Sequence, residues 1–429
     1  MNEFESPDYK RSRKAYVTQC TIEHLLGLLV VDAYLAKLLT YIGLSDAVIG
    51  VIASFVSIAF VFQILSVFLV KSKLSTKKSV MISDCLSQFC FMLLYFIPFL
   101  PIPDFAKRIL AILSIVLAYG GKYLVITLYF KWANEYVHPE KRGVFSANKE
   151  CISLICGIVF ATVMGYVIDA FDKQKNLEGG FLVIAITMLV INLINYICLK
   201  MIREEDKKEQ EAMRMSFGEV LGYIKTNSTF IAYVAISSGS NFANGLLNGF
   251  IGVYKINDLL MPIFTIQLIN ILADFLRLIV SKPFGKFSDK YGFAKGIELA
   301  SMLSILAFTS IIFTTPKTWY MVTVYTMLLV ASNAGSYQNG FNISYQMLPN
   351  NYITQAMAIK SVFSGGFSFL GALIGGFILS SIQAGGNMVF GIHIYGQQVL
   401  AVIAVLVRIL TIALFHIFVV NALKKKEYA

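Results

Sequence analysis

Histidine and paired cysteine are scarce in this chain, and each scarcity closes off a kind of chemistry. The four histidines (His24, His138, His393, His416) and six cysteines show no metal-ligand or CxxC spacing, so neither a metal site nor a disulfide framework is expected. There is no GxSxG, no HExxH and no glycine-rich nucleotide loop. That argues against an intramembrane enzyme and against ATP-driven pumping, and no cofactor is expected. The opening residues, Met1 to Lys14, are polar and charged and do not read as a cleaved signal peptide. Charge is the deepest shortage: 14% of 429 residues are charged, against 57% hydrophobic. That balance excludes a soluble globular chain. The net charge of +11 sits in short loops between apolar runs rather than in one basic domain, so it signals topology and not nucleic-acid binding.

What the chain has in plenty is apolar runs of about twenty residues, each long enough to cross a bilayer as a helix. A helix satisfies its own backbone in lipid, so an all-α polytopic membrane protein is expected rather than a barrel. The runs predict spans at 20–41, 46–70, 79–100, 107–130, 145–170 and 179–201, then at 229–254, 260–281, 296–314, 318–342, 358–382 and 396–421. Between the sets, the charged run from Arg203 to Glu211 and the amphipathic segment after it form a linker, 203–228. The expected organisation is therefore a tail (1–19), a six-helix half (20–202), the linker, a second half (229–421) and a tail (422–429). Bases such as Lys10, Arg11, Lys77, Lys78 and Arg142 crowd the loops on one side, which places both termini in the cytoplasm and the chain in the plasma or inner membrane. It is expected to work as a monomer in the lipid bilayer.

One loop stands apart. Gly285-Lys286-Phe287-Ser288-Asp289-Lys290-Tyr291-Gly292, followed by Lys295, bunches two glycines, an acid and bases between two spans, as a tight cytoplasmic turn needs. This Gly-x-x-x-Asp-Lys-x-Gly pattern resembles the cytoplasmic signature loop of the major facilitator superfamily of secondary transporters. The run of bases expected after the second glycine is reduced here to Phe293, Ala294 and Lys295. The loop at 71–78 holds the matching place in the first half, with Lys78 and Lys295 standing 217 residues apart. It keeps bases but has Phe68 and Ser72 where the second copy has Gly285 and Asp289. A second pair, around Pro139 and Pro349, is offset by 210. Two nearly equal offsets favour parallel six-helix repeats. Pro139-Glu140-Lys141-Arg142-Gly143 also resembles the family's loop between helices 4 and 5. The resemblance implies twelve transmembrane helices around a central cavity lined by helices 1, 4, 7 and 10. It also implies gating loops at Gly285, Asp289, Lys290, Gly292, Arg142 and Gly143.

Charges at membrane depth are functional candidates because lipid penalises them. Asp32, Lys122, Asp274, Arg277 and Arg408 fall near the middle of their spans; Glu23, His24, Lys37 and Glu150 lie nearer the ends. Lys122 follows Gly120 and Gly121 and sits between Tyr119 and Tyr123, which suits an anion or hydroxyl contact. It could equally neutralise Asp32. Asp274 and Arg277 share a helix face and suit an ion pair. Arg408, in a last helix that the resemblance implies is peripheral, is expected to find a structural partner or to snorkel. Ser237, Asn241, Asn244 and Asn248 recur at i, i+4, i+7 and i+11, which draws a polar stripe along helix 7. Four such residues suggest a wet cavity wall more than interhelical glue. Asn333, Ser336, Tyr337 and Gly340 make a looser stripe in helix 10, while Gly371-x-x-x-Gly375 suits close helix packing.

These residues point to a secondary active transporter that moves a small polar organic solute by alternating access. Proton coupling would run through Asp32, with Glu23 as second choice, because a carboxyl at depth changes its burial cost when it takes up a proton. A basic residue in each half, Lys122 and Arg277, suits an anionic substrate, yet each has an acid nearby, so sugars and nucleosides stay open. Multidrug efflux is the rival within transport, and a transporter-derived receptor is the rival outside it.

Overall fold

Ser6 starts the first helix: its Oγ accepts from the Tyr9 amide at 3.4 Å, and Pro7 takes the first helical position, where no N–H is needed. Helix α1 therefore runs Pro7–Leu29, beginning well before the span expected at 20. Its charged opening turns carry an apolar face, and Tyr9, Ala15 and Tyr16 bury against Val80, Val125, Leu199 and Ile202. That burial holds in helix a stretch that hydropathy alone reads as tail. This computed structural model describes residues 6–59, 61–62, 76–134, 137, 142–203, 217–389 and 391–423.

The expected first span does not run through. It breaks after Leu29, and α2 (Asp32–Tyr41) begins at Asp32 with φ +47°, a left-handed value unusual for a side chain. A broken helix in lipid leaves backbone carbonyls to be satisfied from elsewhere. Tyr95, 1% exposed, donates its hydroxyl to the Leu29 carbonyl.

The remaining helices are α3 (Asp46–Ala53), α4 (Thr76–Phe96), α5 (Asp104–Asn134), α6 (Arg142–Lys173), α7 (Leu177–Met201) and α8 (Phe217–Thr226). They continue as α9 (Ser228–Val253), α10 (Ile263–Tyr291), α11 (Phe293–Ile312), α12 (Met321–Met347), α13 (Asn350–Ala384) and α14 (Gly396–Phe415). A two-residue hairpin pairs Met388 with His393 before α14. Among the described residues, eight helices are long and apolar enough to span a membrane: α4 to α7, α10, α11, α13 and α14. The helices α1, α9 and α12 fall short because they carry the polar residues, and α3 belongs to a shorter apolar helix, Asp46–Ala59. The first-half counterpart of the signature loop, with Ser72 and Lys73, lies outside the described residues, as do Pro139 to Lys141 and residues 204–216 of the linker.

The chain divides into two compact units. The first holds Met1–Ser45, Ala59–Gln210 and Met261–Gln267; the second holds Asp46–Ile58, Glu211–Leu260 and Leu268–Ala429. Within the first, α1 packs on α6 and α7, and α4 packs on α5 and α7. Asp169 on α6 caps the start of α10, accepting from the Ile263 and Phe264 amides at 3.0 and 2.8 Å, a good use of a carboxylate at a helix N-terminus. Lys37 on α2 pairs with Asp172 on α6 at 2.7 Å.

Within the second unit, α9 packs chiefly on α13 and α14 and also on α3, and α11 packs on α12 and α14. The α9–α13 contact is a glycine seam: a Cβ on Gly245 would meet the Ser368 carbonyl, and one on Gly371 would meet the Phe242 carbonyl. Small residues let the backbones close where lipid supplies no hydrophobic drive. The signature segment is mostly helix. α10 continues through Tyr291, Gly292 turns the chain alone at φ +93°, and α11 begins at Phe293. The turn expected over 285–295 thus narrows to one residue, which glycine takes without strain.

Candidate functional site

The first unit contains a cavity of about 360 Å³ lined by α1 (Cys20, Glu23, His24), α4 (Asp84), α5 (Lys122, Tyr129) and α6 (Lys149, Glu150). Two of the sequence candidates, Glu23 and Lys122, meet there. Asp84, 5% exposed, lines the same cavity, interacts with both and accepts from Asn195 Nδ2 on α7 at 2.7 Å. Sequence reasoning missed Asp84. The signal was present: it is a carboxyl inside the span at 79–100, and the rule that singles out Asp32 applies to it equally. Asp32 itself is half-buried at the start of α2, outside this lining. Tyr119 is buried with its ring edge-on to Phe91 at 5.1 Å. Gly121 serves packing, since Ser83 on α4 donates to its carbonyl at 2.8 Å and a Cβ would press on the Ser83 backbone.

The second unit contains a cavity of about 170 Å³. It brings Ser237, Asn241 and Asn244 of α9 together with Asn333, Ser336 and Tyr337 of α12, so both polar stripes reach one space. Asn248 lies off this lining and accepts from the Tyr325 hydroxyl at 2.8 Å. Three charged side chains that the stripes do not contain complete the wall: Glu298 of α11, Lys360 of α13 and Arg408 of α14. Glu298 Oε1 lies 2.7 Å from His416 Nδ1. Lys360 Nζ sits 4.7 Å over the Tyr233 ring. Arg408 does not snorkel outward: it is 8% exposed and donates from Nη2 to Asn244 Oδ1 at 2.6 Å.

The other candidates stand apart from both cavities. Asp274 is half-buried and Arg277 exposed on α10. Asp289 and Lys290 are exposed, with Lys290 Nζ 5.1 Å from the Tyr291 ring centre, and Gly285 faces Gln338. Arg142 and Gly143 open α6.

At the other end of the second unit's helices lies a polar cluster that hydropathy does not mark. Asp46, at the start of α3, accepts from Asn257 Nδ2 at 2.6 Å and from Gln383 Nε2 at 2.7 Å. Asp258, in the π-turn after α9, accepts from Gln397 Nε2 at 3.3 Å. Burial, with the nearby Asp46 carboxylate adding to it, pushes the Asp258 carboxyl up from 3.8 to about 6.

Each polar wall combines helices long and apolar enough to span a membrane (α4 to α6 in the first unit; α11, α13 and α14 in the second) with the more polar α1, α9 and α12. The sequence pattern of the Major Facilitator Superfamily matches residues 24–273. Among solved structures, the fold is similar to a variant of the nucleoside transporter NupG, 13% identical, covering 95% of this chain and 99% of that one with a TM-score of 0.73. It is also similar to a bacterial homologue of the iron transporter ferroportin (14% identical, 96% and 98% covered, TM-score 0.69). A D-xylose-proton symporter is a further likeness (12% identical, 93% and 96% covered, TM-score 0.62). At such identities these likenesses speak for the fold alone. No curated protein matches the chain. The pattern spans more than half of the 429 residues, and the chain belongs to the Major Facilitator Superfamily.

Proposed function

We propose that this chain is a secondary active transporter, a symporter or antiporter that moves a small polar organic solute by alternating access and is coupled to protons. Twelve spans in two six-helix repeats would surround the central cavity, with both termini cytoplasmic, as the loop bases favour. The halves would be 20–202 and 229–421, joined by the linker 203–228. Asp289 and its neighbours in the signature segment would control the rate of the conformational step.

The observation that carries the coupling is the cluster of Glu23, Asp84 and Lys122 in the first unit's cavity. Two carboxyls face one ammonium, so the cluster holds one more acid than its lysine neutralises. That extra carboxyl is where a transported proton would ride, and occupancy by the proton changes the cost of closing the site away from water. Asp32, at the break between α1 and α2, is the alternative proton carrier.

The test is uptake into proteoliposomes of a panel of sugars, nucleosides, carboxylates and phosphate esters, with and without an inward pH gradient. Glu23→Gln and Asp84→Asn should each abolish gradient-driven accumulation while leaving exchange without a gradient. Asp32→Asn should leave the gradient response intact. Full accumulation in a Glu23→Gln, Asp84→Asn double variant would overturn the assignment.

A further inference from the structure

Arg408 is a buried cation of the second unit. It is 8% exposed, yet its Nη2 donates only to the neutral Asn244, its Nε has no hydrogen-bond partner, and its guanidinium carbon lies 5.8 Å from the Phe308 ring centre, an aromatic contact that carries no opposite charge. Among the described residues no carboxylate lies within salt-bridge distance of its guanidinium. A buried charge is ordinarily paired, because desolvation is repaid only by an opposite charge and a full set of hydrogen bonds. The other charges on the same wall do not supply that partner. Glu298 is engaged by His416, and Lys360 adds a second cation, stacked on Tyr233 rather than held by an acid. Among the described residues, the cavity therefore has two cations on its wall and one carboxylate already in use.

We infer that this cavity is an anion subsite, in which Arg408 with Lys360 binds the carboxylate or phosphoryl head of a small organic anion. Spare guanidinium donors suit a two-oxygen acceptor, and the hydroxyls and amides of Ser237, Asn241 and Asn333 supply further donors. The volume of about 170 Å³ is below the roughly 300 Å³ at which ordinary ligand pockets begin, so the cavity takes a head group and not a whole solute. As a substrate subsite, it rests on the transporter reading; as an anion site, it does not.

The test is thermal unfolding of the purified full chain in a neutral detergent, titrated at constant ionic strength with inorganic phosphate, with succinate and with ribose. Phosphate or succinate should raise the unfolding midpoint saturably, and ribose should not; whichever anion acts identifies the head group. Arg408→Gln should weaken the half-saturating concentration about tenfold or more, the scale of one charge-assisted hydrogen bond. Arg408→Lys should keep part of the response, and Lys360→Gln should weaken it, so the inference stays testable if Arg408→Gln does not fold. Arg408→Met should unfold at a higher midpoint than the wild type when no anion is present, because it removes an unpaired buried charge. Arg203→Gln, which alters a cation remote from the cavity, should respond as the wild type does. An unchanged anion response in the Arg408 variants, or no saturable response to either anion in the wild type, would overturn the inference. Anion binding without flux in proteoliposomes would leave the site standing and remove the transporter reading. Flux of neutral solutes without anion binding would do the reverse.

Discussion

Replacing Asp258 by Asn should stabilise the protein above pH 6 and change little near pH 4. The folded structure holds this carboxyl at about 6 against an ordinary 3.8, because the π-turn buries it and Asp46 faces it. The folded state therefore binds the proton more tightly than the unfolded chain. Stability from this group is full below about pH 4, falls as pH rises towards 6, and stays low above that. A difference of about two pH units is worth about 3 kcal/mol at most, and the side chain is only half-buried, so solvent screening leaves roughly 1–2 kcal/mol. Asn keeps an oxygen for the Gln397 amide, which donates at 3.3 Å, and removes the charge that opposes Asp46. Thermal unfolding of both proteins in neutral detergent from pH 4.5 to 8 should give midpoints that converge at the acid end and separate by a few degrees above pH 6. A constant difference across the range would refute the linkage.

Other outcomes follow from packing and from the signature segment. Gly245→Ala should lower stability by about 1–3 kcal/mol, because its Cβ has nowhere to go but into the Ser368 carbonyl; Gly366→Ala, with open space around it, should not, and thermal unfolding compares the two. Asp289→Ala should lower the maximal transport rate while leaving the half-saturating solute concentration unchanged, and a pure binding defect in uptake kinetics would count against a role in gating.

The sequence made the membrane class legible because lipid imposes its demand on every span separately, and a run of twenty apolar residues answers that demand locally. The polar stripes of α9 and α12 were legible for a related reason: Asn and Ser have no business on a lipid-facing turn. What was not legible depended on residues far apart in the chain. Hydropathy cannot see that Tyr9 and Tyr16 have partners on α4, α5 and α7, so the first turns of α1 read as tail. The break at Asp32 carries no glycine or proline to announce it, and the Tyr95 hydroxyl that satisfies the Leu29 carbonyl is brought over from α4. Arg408 read as peripheral because the family resemblance puts the last helix at the edge of the bundle; the Asn244 that receives it lies on another helix. Asp84 is different in kind, since depth alone marks it and the omission was one of counting.

The glycine seam between α9 and α13 also has a consequence for how the chain is made. A helix carrying Ser237, Asn241, Asn244 and Asn248 is a poor resident of lipid by itself, and the helix that closes on its glycines is synthesised only after α10, α11 and α12. Until α13 emerges, α9 lacks the neighbour against which its backbone fits. The second unit therefore cannot mature helix by helix in chain order; its polar wall must wait for nearly the whole chain before it has a home.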